Sequence, residues 1–152
     1  MNKDKDFEEM VKELQRKIDR DEEETYSKKV IKEYRNPVNF GFIENPDVAG
    51  KVKGPCNDTM RVDLRVKKNV IQNARFWTDG CGASIACGNM LTSMIKGKNI
   101  DEVNGISSEK LLGVLDGLPE EHQHCAKLAV DTLYKVVRDY HKKEDNVKIK
   151  FF

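Results

Sequence analysis

Between residues 60 and 78 the chain alternates with a period of two. Met60, Val62, Leu64 and Val66 interleave with Arg61, Asp63, Arg65 and Lys67, as a strand with one buried face requires. Lys68 and Asn69 then turn the chain, and residues 70–78 read as a second strand returning antiparallel. A shorter strand is expected at residues 48–52, inside a loop-like stretch, 40–55, that is rich in glycine and proline. Elsewhere the period is helical. Phe7, Met10, Val11, Leu14 and Ile18 mark one face of a charged N-terminal helix closed by the acidic run 21–24. It reads as a solvated appendage with one packing face, the alternative being a partner-binding helix.

Thr25 is the expected cap of a short helix carrying Val30, Ile31 and Tyr34, which Asn36-Pro37 ends. Ile85, Met90, Leu91, Met94 and Ile95 mark a helix stopped at Gly97, and residues 99–103 and 107–115 read as two shorter helices. Cys125, Leu128, Ala129, Thr132, Leu133, Val136, Val137 and Tyr140 give the strongest helical rhythm, running to about His141. Sheet first and helices afterwards predict an α+β domain: a small antiparallel three-stranded sheet with helices packed on one face, plus an N-terminal helical extension. The expected division is 1–24 as the charged amphipathic extension, 25–142 as the domain, and 143–152 as a charged tail ending in Phe151-Phe152, to which no function is assigned.

With 152 residues and 38% hydrophobic content, the chain suits one domain with a real core. Its 27 basic and 26 acidic side chains leave a net charge of +1, which gives no reason to expect nucleic acid or a membrane surface as partner. No run approaches the roughly 18 apolar residues of a membrane span, and no apolar signal-peptide core opens the sequence, so a cytoplasmic setting is expected. In a reducing compartment, four irregularly spaced cysteines point to ligands, nucleophiles or packing groups rather than disulfides.

Cys81 carries the first chemical signal. It stands between Gly80 and Gly82 where a strand pattern ends and a helical one begins, so unpaired backbone N–H groups and the positive helix end suit a thiolate there. The hairpin should deliver it to the end of the sheet that carries Cys56 and Asp58. On an extended backbone those two, one residue apart, would project to the same side. His124-Cys125 in the first turn of the last helix can approach the same corner. Three thiolates with one carboxylate or imidazole suit tetrahedral zinc or a [2Fe-2S] cluster. The spacing lacks C-x-x-C knuckles and does not by itself establish a metal site.

Several motifs in order carry a resemblance: Tyr26-Ser27-Lys28-Lys29-Val30, Asn36-Pro37, Cys56-Asn57-Asp58, Ala74-Arg75-Phe76, Gly80-Cys81-Gly82-Ala83-Ser84-Ile85-Ala86, Ile95-Lys96-Gly97-Lys98 and His124-Cys125. Over residues 25–142 the sequence resembles the IscU/NifU-type iron-sulfur cluster assembly scaffolds. The resemblance implies a carrier rather than an enzyme. Such a carrier takes sulfur from a PLP-dependent cysteine desulfurase and iron from the cell, builds a transient [2Fe-2S] cluster, and passes it to apo iron-sulfur client proteins. It also implies Cys56, Cys81 and Cys125 as cluster cysteines, Cys125 and Cys81 as sulfur acceptors, and Asp58 and His124 as candidate fourth ligands. A vacant three-thiolate sphere also readily collects zinc, so zinc in a purified sample would not by itself decide between cluster and zinc.

Two departures stand out. Asn57 replaces the glycine usual between the first cysteine and the aspartate, and a Leu-Pro-Pro-Val-Lys chaperone-recognition stretch is here Leu118-Pro119-Glu120-Glu121-His122, which puts a dedicated Hsp70-type chaperone in doubt. The segment is closer to the NifU variety, read as a stand-alone scaffold domain.

The competing enzyme reading is a zinc-dependent sulfurtransferase of the SufU type. Those sequences usually insert residues between the second and third cysteines and lack the histidine before the last; here 43 residues (82–124) intervene and His124 is present. A purely structural zinc site would require that the chain unfold without metal.

Cys87, about 120° around the helix from Cys81, reads as a packing residue. His122 reads as lining the site or as a surface histidine, His141 as a helix-dipole partner, and Trp77 as packing.

Overall fold

A computed structural model describes residues 3–151 and the side chains of residues 3–148. The elements are α1 (Lys3–Thr25), α2 (Lys28–Arg35), β1 (Val48–Lys53), β2 (Thr59–Lys67), β3 (Val70–Thr78), α3 (Gly82–Ile95), α4 (Ser108–Val114) and α5 (His124–Phe151), with 3-10 turns at Val103–Gly105 and Glu120–His122. The strands form one antiparallel sheet in the order β1-β2-β3.

The period-two pattern decides which face is covered. Register rows Val48–Leu64–Ala74, Gly50–Val62–Phe76 and Val52–Met60–Thr78 point inward, while Lys51–Arg61–Trp77 forms an outer row. The turn at Lys68-Asn69 has both residues at positive φ (52° and 65°), the mirror-image turn whose twist matches a hairpin. A bulge between Arg65 and Val66 shifts the last pairs. On the inner face α5 packs across β1 and β2 and α3 across β3. The approach of α3 is close: a methyl carbon at Gly88 would lie 2.3 Å from the fully buried Phe76 ring. On the outer face Asp63 is buried, accepting from Arg61 Nε at 2.7 Å and from the Ile43 amide at 3.0 Å. Phe42 stacks on Trp77, with centroids 6.5 Å apart.

Local capping moves several expected boundaries. Ser27, not Thr25, caps α2: its hydroxyl accepts from the Val30 amide at 3.1 Å and donates to the Leu115 carbonyl at 2.6 Å. Thr25 instead ends α1, directly after the acidic run, its hydroxyl donating to the Asp21 carbonyl at 2.7 Å. No helix forms at 99–103, because the Asn99 side chain accepts the Asp101 amide at 2.8 Å and turns the chain first. The last helix does not end near His141. It runs on to Phe151, since 142–151 contain neither glycine nor proline. His141 therefore lies well inside a helix and pairs with Asp101, Nε2 to Oδ1 at 3.0 Å, rather than with a helix end. The Phe151-Phe152 pair lies outside the described side chains.

α1 has no buried residue, and Phe7, Met10, Val11, Leu14 and Ile18 are exposed. It is held to α2 by Arg35, which donates to Asp19 at 3.1 Å and to Glu22 at 2.5 Å. Among the described residues no helix is long and apolar enough to cross a membrane.

Gly88→Ala tests the α3–sheet contact. Alanine gains about 1 kcal/mol of helix propensity, but overlap with an immobile ring costs more than that. A net loss of about 2 kcal/mol is expected, read as a lower urea midpoint at unchanged m-value.

Candidate metal and sulfur site

Three chain segments meet at one corner, where β2 begins and α3 and α5 start. The β1–β2 connection is a tight turn, with the Gly54 amide bonded to the Asp58 carbonyl at 2.7 Å and the Asn57 amide to the Gly54 carbonyl at 3.2 Å. Asn57 has φ 64°, a left-handed conformation that asparagine tolerates and glycine adopts freely, so its presence here is compatible with the turn. The backbone is thus not extended across residues 56–58, and Cys56 and Asp58 do not share a strand face. Cys56 is exposed on the turn, while Asp58 stands half-buried at its base.

Side-chain bonds lace the end of β3 to the start of β2. The Thr78 hydroxyl donates to the Thr59 carbonyl at 2.8 Å and accepts the Gly80 amide at 3.1 Å; Asp79 Oδ1 accepts the Thr59 amide at 2.8 Å. They bring Gly80, the residue before Cys81, up against Asp58. Gly80 is crowded, since a Cβ there would lie 2.6 Å from Ser84 Oγ and 2.9 Å from Asp58 Oδ2. Cys81 is the N-cap of α3, exposed, and its side chain makes no capping bond.

Cys125 closes the corner from α5. It is fully buried, and Ser84 Oγ donates to its Sγ at 3.3 Å while standing 3.5 Å from Asp58 Oδ2. His124 Nε2 is 3.7 Å from the same sulfur. Burial pushes the Cys125 thiol up to about 11. The Ser84 hydrogen bond opposes that rise, and negative charge on Cys81 and Asp58 adds to it. Cys87 is buried in the core and its thiol is also pushed up, foremost by burial, in keeping with a packing role.

Donor atoms of Asp58, His124 and Cys125 all lie within 4.8 Å of one another, and so do those of Cys81, His122 and Cys125. Cys56 belongs to neither group. Sulfur and imidazole nitrogen with one carboxylate suit zinc or iron and not magnesium or calcium, so the donor set fits a thiophilic metal or cluster.

Two neighbours appear in the sequence motifs without a role at the site. Ser84 lies one helical turn after Cys81 and so shares its face, a signal present in the spacing. Tyr26 sits beside the sulfurs: its hydroxyl is pushed up by burial first and then by Cys81 and Cys125, and its ring lies 5.8 Å from that of His122. Nothing in residues 20–30 marks that approach.

The model of the NifU-like N terminal domain matches residues 25–147. Iron-sulfur cluster assembly scaffold protein IscU 1 of Archaeoglobus fulgidus is 42% identical over 127 residues, covering 82% of this chain and 83% of that protein. The corresponding IscU of Escherichia coli K12 is 38% identical over 125 residues, covering 79% of this chain and 97% of its own. The crystal structure of the N-terminal part of a nitrogen-fixing NifU-like protein from Brucella abortus superposes with a TM-score of 0.63 over 77% of this chain and 94% of that one. Its sequence identity is 18%, a likeness of fold.

Burial and the raised thiol make Cys125 slow to alkylate. In the metal-free protein at pH 8, iodoacetamide should modify Cys56 and Cys81 well before Cys125 and Cys87, as followed by peptide mass spectrometry. Below about 11 the Cys125 thiol is protonated, so its rate should rise about tenfold per pH unit while the fold holds.

Proposed function

The chain belongs to the NifU-like N-terminal domain family, and from that premise we propose that it assembles a transient [2Fe-2S] cluster and hands it to apo-proteins. The observation that carries this reading is the convergence on one sulfur. Donor atoms of Asp58 and His124 lie within 4.8 Å of the Cys125 sulfur, so does that of Cys81, and Cys56 stands on the turn before Asp58. Four protein ligands, three of them thiolates, match what a [2Fe-2S] cargo needs.

The residues divide the work by exposure. Cys56 and Cys81 face solvent, where a persulfide carried by a cysteine desulfurase can reach them. A thiolate attacks the terminal sulfur, the donor sulfur–sulfur bond breaks, and the donor leaves as a thiolate, so the scaffold cysteine now holds the extra sulfur. Between the two acceptors considered, exposure favours Cys81 over Cys125 for this first step. Reducing the transferred sulfur to cluster sulfide takes two electrons per sulfur from an outside reductant. Cys125 anchors the buried side of the site, held by Ser84.

Release is set by the harder ligand. A carboxylate binds iron less firmly than a thiolate does, so a cluster with Asp58 in its sphere is retained loosely enough to move. The Glu120-Glu121-His122 sequence in place of a Pro-Val-Lys stretch argues against release through a dedicated Hsp70-type chaperone, with direct handover to clients instead. The cytoplasm is the proposed setting. Residues 25–142 would carry the activity, with 1–24 and 143–152 as appendages.

Anaerobic reconstitution with ferrous iron, cysteine and a catalytic cysteine desulfurase, followed by timed transfer to an apo-ferredoxin, tests the reading. A visible [2Fe-2S] spectrum that passes to the ferredoxin is expected. Bound zinc that persists, no cluster, and faster desulfurase turnover with sulfur accepted by the chain would instead establish the zinc-dependent sulfurtransferase. Asp58→Ala should form the cluster, hold it longer and slow transfer about tenfold; transfer at the wild-type rate would remove Asp58 as the determinant of lability.

A further inference from the structure

Two of the cluster cysteines proposed above, Cys81 and Cys125, also belong to a second donor group, which His122 completes. We propose that Cys81, His122 and Cys125 form a metal-binding set of their own, which takes one zinc or ferrous ion through two thiolates and one imidazole and shares the Cys125 sulfur with the Asp58–His124 side.

The three residues come from three elements: the N-cap of α3, the 3-10 turn at Glu120–His122, and the first turn of α5. Their donor atoms all lie within 4.8 Å of one another. With metal–sulfur bonds near 2.3 Å and metal–nitrogen bonds near 2.0 Å, tetrahedral ligands sit about 3.6–3.8 Å apart. Closing the set therefore takes an inward movement of about 1 Å or less, within reach of side-chain rotation. Cys81 is exposed and opens the set to solvent, whereas Cys125 forms its buried floor.

His122 is held in place rather than left free on the surface. Its amide bonds to the Pro119 carbonyl at 2.8 Å, closing the turn that carries it. The Tyr26 ring lies 5.8 Å from the imidazole, tilted by 48°, and leans edge-on against Tyr34 at 6.1 Å. Tyr34 in turn sits over Gly82, where a Cβ would lie 3.4 Å from its ring. Tyr26 thus lies against the imidazole and close to Cys81 and Cys125 at once, so one aromatic row borders both the histidine and the sulfurs.

The donor chemistry selects the ion. Two sulfurs and one nitrogen favour zinc, ferrous iron or cobalt over magnesium and calcium. Binding one divalent ion displaces the two thiol protons to solvent and moves no electrons. Because Cys125 belongs to both sets, an ion can exchange His122 for His124 while its bond to that sulfur persists. Occupancy by ferrous iron on the way to the cluster is a role that rests on the scaffold reading; the site itself does not.

The test removes the other set and uses cobalt alone as probe. Apo Asp58→Ala/His124→Ala protein, checked for fold by far-UV circular dichroism, is titrated with Co(II) and followed by visible absorption. One equivalent should bind with thiolate-to-cobalt charge-transfer and tetrahedral d–d bands. Adding His122→Ala should weaken that binding at least about tenfold, a loss of roughly 1.4 kcal/mol. Zinc should also move the His122 ring nitrogens in long-range proton–nitrogen spectra of the double variant. Absence of the bands, unchanged affinity on His122→Ala, or unmoved ring nitrogens overturns the proposal. If the double variant does not fold, His124→Ala alone is read by the same three criteria. Cobalt binding through His122 without cluster formation in wild-type protein would refute the scaffold reading and leave this site standing; a cluster that forms and transfers while His122 is indifferent would do the reverse.

Discussion

The corner that gathers the sulfurs depends on how closely α3 lies on the sheet, and that distance is set where Gly88 meets the Phe76 ring. With no side chain at Gly88 the helix axis comes down onto β3. The turn before it then places Ser84 level with the Cys125 sulfur, and the N-cap places Cys81 at the rim. Gly80 repeats the constraint at the other end of the same connection, where Asp58 and Ser84 occupy the space a side chain would need. Interiors packed at crystal-like density transmit such displacements. A helix lifted by one methyl group would carry both residues away from α5.

Burial and exposure then divide the chemistry. Cys125 lies at the bottom of the site in apolar surroundings that oppose its ionisation, with Ser84 supplying a compensating hydrogen bond. Cys56 and Cys81 lie outside, on a turn and a helix cap. A metal or cluster would relieve the cost of ionising the buried sulfur, because a coordinating thiol gives up its proton to the metal. Carboxylate and imidazole donors around a shared thiolate hold a soft cargo with unequal strength, which suits a carrier better than a permanent centre.

α1 stands apart from this arrangement. It is joined to α2 through Arg35 and its two carboxylate partners, and exposed pairs of that kind are screened by solvent and contribute little. The junction after it still matters to the site. Ser27 caps α2 and reaches the Leu115 carbonyl, and that anchoring sets Tyr26 against His122.

The sequence determined whatever has a short period or a local cap. Alternation at residues 60–66 showed which face of β2 is buried, the 3.6-residue rhythm from Cys125 onward marked the face of α5, and the glycines around Cys81 marked a helix start. Ordered motifs were enough to reveal the family and five ligand candidates: Cys56, Asp58, Cys81, His124 and Cys125. Boundaries governed by competing side-chain bonds were less legible, as at Thr25 against Ser27 and at Asn99, because capping depends on which carbonyl or amide lies within reach. Only the tertiary structure decided how the donors group around Cys125. Asn57 at positive φ turns Cys56 away from the strand direction assumed for it, and a 3-10 turn with an aromatic ring from the α1–α2 junction carries His122 to Cys81 and Cys125. Local sequence patterns report the face a residue occupies on its own element; distances between elements arise from packing, which no spacing along the chain encodes.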